Sequence, residues 1–171
     1  MRMGTYTGAF LSNGNKVLLI RRGMHKKIAP GKVACIGGRI ENHEMSGEIE
    51  SALFREIFEE SGIPAERVSN LWLAYMITSN EDNTLYTTYI FFGETDCIDL
   101  VQSHEGELFW ADKSELATQD FSLSYTRIIE HYLARKADDF GLYVAVINES
   151  AGDLGINWIR MDERKRNEWY N

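Results

Sequence analysis

Glu56, Glu59 and Glu60 are the residues whose types and spacing could do chemistry. They lie in Arg55-Glu56-Ile57-Phe58-Glu59-Glu60-Ser61-Gly62, which reads as the end of a helix. At about 100° per residue, Glu60 lies roughly 40° to one side of Glu56 and Glu59 roughly 60° to the other. Three carboxylates therefore share one arc. Leu53, Phe54, Ile57 and Phe58 fill the adjoining arc, so the acids border the apolar face. Like charges one turn apart oppose a helix by about 0.3 kcal/mol in water, and partial burial raises that cost. A bound divalent cation would reverse the sign. Hard carboxylate oxygens suit Mg²⁺ or Mn²⁺. The competing reading is a solvated acidic face with Arg55 as local counter-ion.

The elements that must position these acids are readable on either side. Thr5 to Leu11 predicts a strand, and Asn13-Gly14 a hairpin turn into a buried strand over Lys16 to Arg21. A loop follows from Gly23 to Gly31, with Pro30-Gly31 as a turn, then a short strand from Lys32 to Ile36. It ends at Gly37-Gly38, where adjacent glycines let the backbone turn sharply and approach a ligand. The acidic helix is predicted to start near Ser46 and to stop at Ser61-Gly62, before Pro64. Leu71 to Thr78 and Leu85 to Phe92 predict two strands around a loop at residues 79–83, and Glu107 to Trp110 another strand. Asp112-Lys113-Ser114-Glu115 has capping-box form. Tyr125, Ile128, Ile129, Tyr132 and Leu133 give Ser124 to Lys136 a helical apolar stripe. Gly141 to Ile147 and Ile156 to Met161 predict a closing hairpin, and the charged tail from Asp162 a frayed end. This order implies one mixed sheet with helices on its faces, an α/β (α+β) fold in a single domain over 1–171.

Charge narrows the partners. The net charge of −8 argues against binding a nucleic-acid polymer. Yet residues 1–40 hold eight Lys or Arg and no acid, while the rest holds ten cations against 26 acids. A basic segment leading into an acidic helix suits a polyphosphate, with cations on phosphate oxygens and carboxylates on a bridging metal. Lys and Arg that merely keep a buried strand soluble explain the segment equally well. No long apolar run predicts a membrane span, and the N-terminus has no secretory h-region. Cys35 and Cys97 form no metal pattern, and free thiols in a reducing cytoplasm are the expectation. His25, His43, His104 and His131 make no His-x-x-x-His pair, so zinc is not expected. A homodimer is left open.

Together these residues resemble the Nudix box, Gly-x5-Glu-x7-Arg-Glu-U-x-Glu-Glu-x-Gly-U, with U aliphatic. Gly38-x5-Glu44 fits its first part, and Arg55 to Ile63 fits its second part in full. Between them the chain departs, with ten residues separating Glu44 from Arg55 where the pattern has seven. Glu48 is therefore a rival to Glu44 as the first acid. The resemblance implies a Nudix α/β/α sandwich with its core over about residues 5–160, and Mg²⁺-dependent hydrolysis of a diphosphate linkage in a nucleotide. It implies Glu56, Glu59, Glu60 and the carbonyl of Gly38 (or Gly37) as metal ligands, with Glu59 as third ligand or water activator. Arg55 would orient a carboxylate, and Glu44 and Glu105 join the catalytic candidates. Arg21, Arg22 and Arg39 are candidate phosphate contacts.

In layout the chain is similar to the 8-oxo-dGTP diphosphatases (MutT-like members). Gly31-Lys32-Val33-Ala34-Cys35-Ile36-Gly37-Gly38 parallels their approach to the box. Val33 stands where they carry Trp, and Ala34 where the human-type enzyme carries a base-reading Asn. Their base-reading acids fall at Ser124 and Tyr125, with Asp120 the nearest acid and Phe121 a candidate either to stack on a base or to pack in the core. The expected substrate is a nucleoside polyphosphate, such as a modified deoxynucleotide. The alternatives are a nucleoside diphosphate sugar or dinucleotide, and a Nudix-fold nucleotide-binding regulator without turnover.

Overall fold

The computed structural model describes residues 2–81, 83–147 and 156–161. Strands β1 (Arg2–Asn13) and β2 (Lys16–Arg22) meet at the Asn13-Gly14 turn, pairing Ser12 with Val17 and Asn13 with Lys16. Gly14 takes φ 54°, the left-handed conformation such a turn needs. Below the turn β1 changes neighbour, and Tyr6 to Ala9 pair with β4 (Ile36–Arg39). Its other edge runs parallel to β6 (Thr84–Thr95), from Arg2↔Thr84 to Ser12↔Glu94. Then come β5 (Val68–Glu81), antiparallel to β6, and β8 (Leu142–Ile147), parallel to β5. An antiparallel β9 (Ile159–Met161) follows. At the opposite end β2 takes β3 (Val33–Ala34) and β7 (Gly106–Asp112). The nine strands form one mixed sheet.

Strand alternation divides the core between the two faces of that sheet. Ala9, Leu11, Leu18, Ile20 and Phe91 meet α1 (Ile49–Ser61), which contributes Leu53 and Ile57. Phe10, Val17, Leu19, Tyr75, Ile90 and Phe92 meet α2 (Leu123–Ala134), which contributes Ile128 and Ile129. Each Leu, Ile, Val or Phe among them, fully buried, stabilises by about 1.5–3 kcal/mol. The expected mixed-sheet α/β/α architecture is what forms. Neither helix is long and apolar enough to cross a membrane.

The boundaries differ from expectation in instructive places. α1 begins at Ile49 with Glu48 as N-cap, not near Ser46, because residues 42–46 form turns. Those turns are closed by Glu44 N–H to Glu41 O and Gly47 N–H to Glu44 O. Gly62 ends the helix as expected, at φ 75° with its N–H on Phe58 O. After Asp112 the chain makes a 3₁₀ helix (Lys113–Thr118), and the Asp112 side chain makes no cap bond. β5 and β6 continue pairing through Glu81↔Thr84, into the expected loop. The closing hairpin pairs Leu142 with Met161 and Val144 with Ile159. The tail from Asp162 lies outside the described residues.

Candidate active site

β4 and α1 face each other across the Gly37-Gly38 step. A Cβ on Gly38 would sit 2.3 Å from Glu56 Oε2, so the Glu56 carboxylate lies directly on the Gly38 backbone. A Cβ on Gly37, which takes φ 146°, would sit 2.2 Å from the Thr7 carbonyl oxygen. Only glycine fits at 37, and at 38 a side chain would have to push the Glu56 carboxylate aside. Gly37 N–H donates to Glu60 Oε2 at 2.8 Å, tying the last turn of α1 to the strand.

Arg55 is the hub. Its Nε and Nη2 grip both oxygens of Glu44, at 2.7 and 2.9 Å, in a bidentate fork. Nη1 donates to Glu56 Oε1 at 2.8 Å and to Glu59 Oε2 at 3.0 Å, and Nη2 also to Arg39 O at 3.1 Å. Four acids thus lie around one guanidinium or one turn beyond it. The carboxylates respond differently. Glu44 is held down to about 2, chiefly by the Arg55 hydrogen bonds and then by Glu41 N–H. Glu56 is pushed up by burial, against the pull of Arg55. Glu60, only 5% exposed, is pushed up to about 7 by burial, with the Gly37 N–H opposing. Nearby Glu56 raises it further, while Arg22 and Lys26 draw it down. Glu59 is exposed.

A divalent cation fits this donor set. Glu56 and Glu60 are desolvated carboxylates one turn apart with too little positive charge between them, and the missing Cβ at Gly38 lets the Glu56 carboxylate lie on the strand backbone. Thr7 Oγ1, on the strand register of Gly38, is buried with no hydrogen-bond partner among the described residues. Among the described residues no three His, Cys, Asp or Glu side chains already converge as a metal cage. Glu56 is turned to Arg55 and Glu60 to Gly37.

The structure gathers Gly38, Glu44, Arg55, Glu56, Glu59 and Glu60, with the Arg39 carbonyl beside them. Glu44, rather than Glu48, is the acid joined to Arg55; Glu48 caps the helix without a side-chain bond. Other candidates stand apart. Arg21 is exposed, with its guanidinium 5.7 Å from the centre of the Phe109 ring, on the sheet face opposite α1. Arg22 donates from Nε to Ile28 O at 3.0 Å and remains within the field of Glu60. The Arg39 side chain is exposed. Asp120 pairs with Lys32 at 2.6 Å. Phe121 is spent on the core, with its ring against Phe10 and Tyr125, and at 6% exposure it has no face free for a base. Tyr125 shares a hydrogen bond with Cys35 across 3.4 Å, and burial pushes that thiol up to about 12. Glu105 carries its carboxylate onto Lys26 and His104. Sequence reasoning passed over Lys26. Its only signal was membership of the basic first 40 residues, where eight cations looked alike.

A NUDIX domain family model matches residues 3–132. The MutT protein of Bacillus halodurans superposes with TM-score 0.67 at 20% identity, over 92% of this chain and 97% of that one. A MutT protein from Methanosarcina mazei Go1 gives 0.64 at 18% identity, over 77% and 93%. The NUDIX domain of Shewanella oneidensis NrtR, complexed with ADP ribose, gives 0.57 at 14%, over 78% and 86%. No curated protein sequence matches the chain. With its family domain spanning most of its length, and with Gly38, Glu44 and the Arg55-to-Gly62 run folded into one cluster, the chain belongs to the Nudix hydrolase superfamily.

Proposed function

We propose that this chain hydrolyses a diphosphate linkage in a nucleoside polyphosphate, with Mg²⁺ as cofactor. The observation that carries this is the pair of desolvated acids, Glu56 and Glu60, set against Gly37-Gly38. Glu56, Glu59, Glu60 and the Gly38 carbonyl would hold the ion. A divalent ion there supplies charge neutralisation for the phosphate chain and eases water attack at phosphorus. Arg55 fixes the directions of Glu44 and Glu56, so that little reorganisation remains when substrate arrives. At neutral pH Glu60 shares its oxygens with a proton, which a cation would displace. Arg22 and Lys26 supply positive charge on the same side as Glu60.

The finer question is the nucleoside. Val33 is 1% exposed and Ala34 5%, so neither presents a group to a base. Tyr125 is engaged with Cys35 where a base-reading acid would serve an 8-oxoguanine enzyme. These features favour a substrate other than 8-oxo-dGTP within the same chemistry. The Shewanella domain, seen with ADP ribose, motivates a second reading as a diphosphate-linked sugar hydrolase or a binding module.

The test is a panel of nucleoside triphosphates, 8-oxo-dGTP, nucleoside diphosphate sugars, ADP-ribose and dinucleotides with Mg²⁺, scoring pyrophosphate against phosphate release. A triphosphate substrate is expected to give nucleoside monophosphate and pyrophosphate, abolished by chelator. Binding without turnover of any member would support the non-catalytic module instead.

A further inference from the structure

Two charges face each other beside the carboxylate cluster, outside the box. Lys26 sits in the loop after β2 and Glu105 just before β7, 79 residues apart, and Lys26 Nζ donates to Glu105 Oε2. Their backbones are fixed independently. Gly23 N–H donates to Glu105 O at 3.0 Å, Lys26 N–H to Gly23 O at 3.1 Å, and Arg22 Nε to Ile28 O at 3.0 Å. Arg22 pairs with Gly106, where a Cβ would lie 2.2 Å from Arg21 O, so the start of β7 lies flush against β2. The side chains are 21% and 31% exposed. Lys26 is also close enough to steady the charge on Glu60.

We propose that Lys26 is a phosphate-chain contact, masked in the free protein by Glu105, and that substrate exchanges this pair. The inference rests on the reading of the site as a polyphosphate hydrolase. A lysine ammonium is a compact charge on a flexible stem with three donors, so it can change partner while its backbone stays still. A polyphosphate brings more negative charge and more acceptor oxygens than one carboxylate. When Lys26 turns to it, Glu105 is left as an uncompensated carboxylate at the edge of the cluster, where a divalent cation is its natural partner. Until then the pair keeps Glu105 neutralised, which weakens the free protein's hold on metal. The same contact would make metal and phosphate chain bind cooperatively.

The test is Mn²⁺ titration without nucleotide, followed by titration of inorganic tripolyphosphate at saturating Mn²⁺. The proteins are wild type, Lys26→Met, Lys26→Arg, Glu105→Gln and the Lys26→Met/Glu105→Gln double variant, with thermal melts to show that each is folded. Lys26→Met should bind Mn²⁺ about fivefold tighter and tripolyphosphate about fivefold weaker. Lys26→Arg should restore both. In the Glu105→Gln background, Lys26→Met should raise Mn²⁺ affinity far less, by no more than Lys27→Met does, since only the field of Lys26 at Glu60 remains. Lys27→Met removes an equal charge from the same loop and separates contact from general field. If Lys26→Met acts on Mn²⁺ equally with and without Glu105, or no more than Lys27→Met, the exchange is overturned. Wild-type protein that binds Mn²⁺ and turns over a nucleotide while Lys26→Met behaves as wild type sinks the exchange alone. Wild-type protein that binds no Mn²⁺ sinks the metal-dependent reading and the exchange with it.

Discussion

Arg55 on α1 and Arg135 at the end of α2 are both drawn into the protein, and their surroundings have opposite chemistry. Arg55 is ringed by the carboxylates of Glu44, Glu56 and Glu59, with Glu60 one turn away. Arg135, 4% exposed, is ringed by Trp72, Tyr75 and Tyr143, with its guanidinium carbon 4.9, 5.5 and 4.6 Å from their centres. Its Nη2 donates to the carbonyls of Asp139 and Gly141, and among the described residues its Nε and Nη1 find no hydrogen-bond acceptor, only aromatic faces. One acid, Asp139, balances it. Asp139 is itself held down to about 2. Burial pushes it up, but Gly141 N–H, Tyr143 O–H and Arg135 together outweigh that. Around Arg135 the buried charge is matched by Asp139, whose other cation, Arg160 at 3.3 Å, is exposed, so the cluster fastens α2 to β5 and β8. Around Arg55 negative charge is in excess, and an excess of buried charge leaves room for a ligand of opposite sign.

Breaking the two clusters should therefore hurt different properties. Glu56→Gln is expected to cost about a thousandfold in kcat with little loss of Tm, read by steady-state kinetics beside a melt; a normal rate would mean the open charge has no chemical use. Arg135→Ala should do the reverse, losing about 3 kcal/mol of stability with kcat per folded molecule retained, as denaturant unfolding would report. Arg55→Lys keeps the charge and loses the fork, so activity should fall about tenfold to a hundredfold with weaker metal binding by calorimetry.

The smallest effect is a pH dependence of opposite sign at the two sites. Burial, then Arg135, pushes His131 below its ordinary 6.5, with Asp139 opposing. The unfolded chain therefore takes up that proton first. Stability from this group is complete above 6.5 and is lost as pH falls below it. Glu60 runs the other way. Its folded value near 7 exceeds the ordinary 4.5, so metal-free stability is lost as pH rises from 4.5 to about 7. Melts over that range should show a weaker falling slope in Glu60→Gln and a weaker rising slope in His131→Gln than in wild type, and Mn²⁺ should flatten the falling slope.

The box acids were legible because helical spacing is local: Glu56 and Glu60 must share a face wherever the helix lies. Glycine punctuation was legible for the same reason. What escaped was set by distant contacts. The extra residues before Arg55 fold into turns because Arg55 and Glu41 hold Glu44, and this displaces the helix start from Ser46 to Ile49. Nothing local distinguishes Lys26 from Lys27; the sheet does, by bringing Glu105 to the end of β2. Nothing local marks Arg135, since its partners come from β5, β8 and the Asp139 turn. Phe121, readable from sequence as a base stacker or as core, is core, since an isolated bridge from Val33 to Phe121 tucks it under α2.

The family match stops at residue 132, but the sheet does not. β8 lies along Tyr75 to Ser79 of β5, and Trp158 stacks on His131 with ring centres 4.8 Å apart. Truncating the chain after α2 would bare a stretch of β5 as an unprotected edge and remove Arg135 and Tyr143 together from the faces of Trp72 and Tyr75. An expression fragment trimmed to the homologous segment would thus invite edge-to-edge aggregation, although every box residue would still be present.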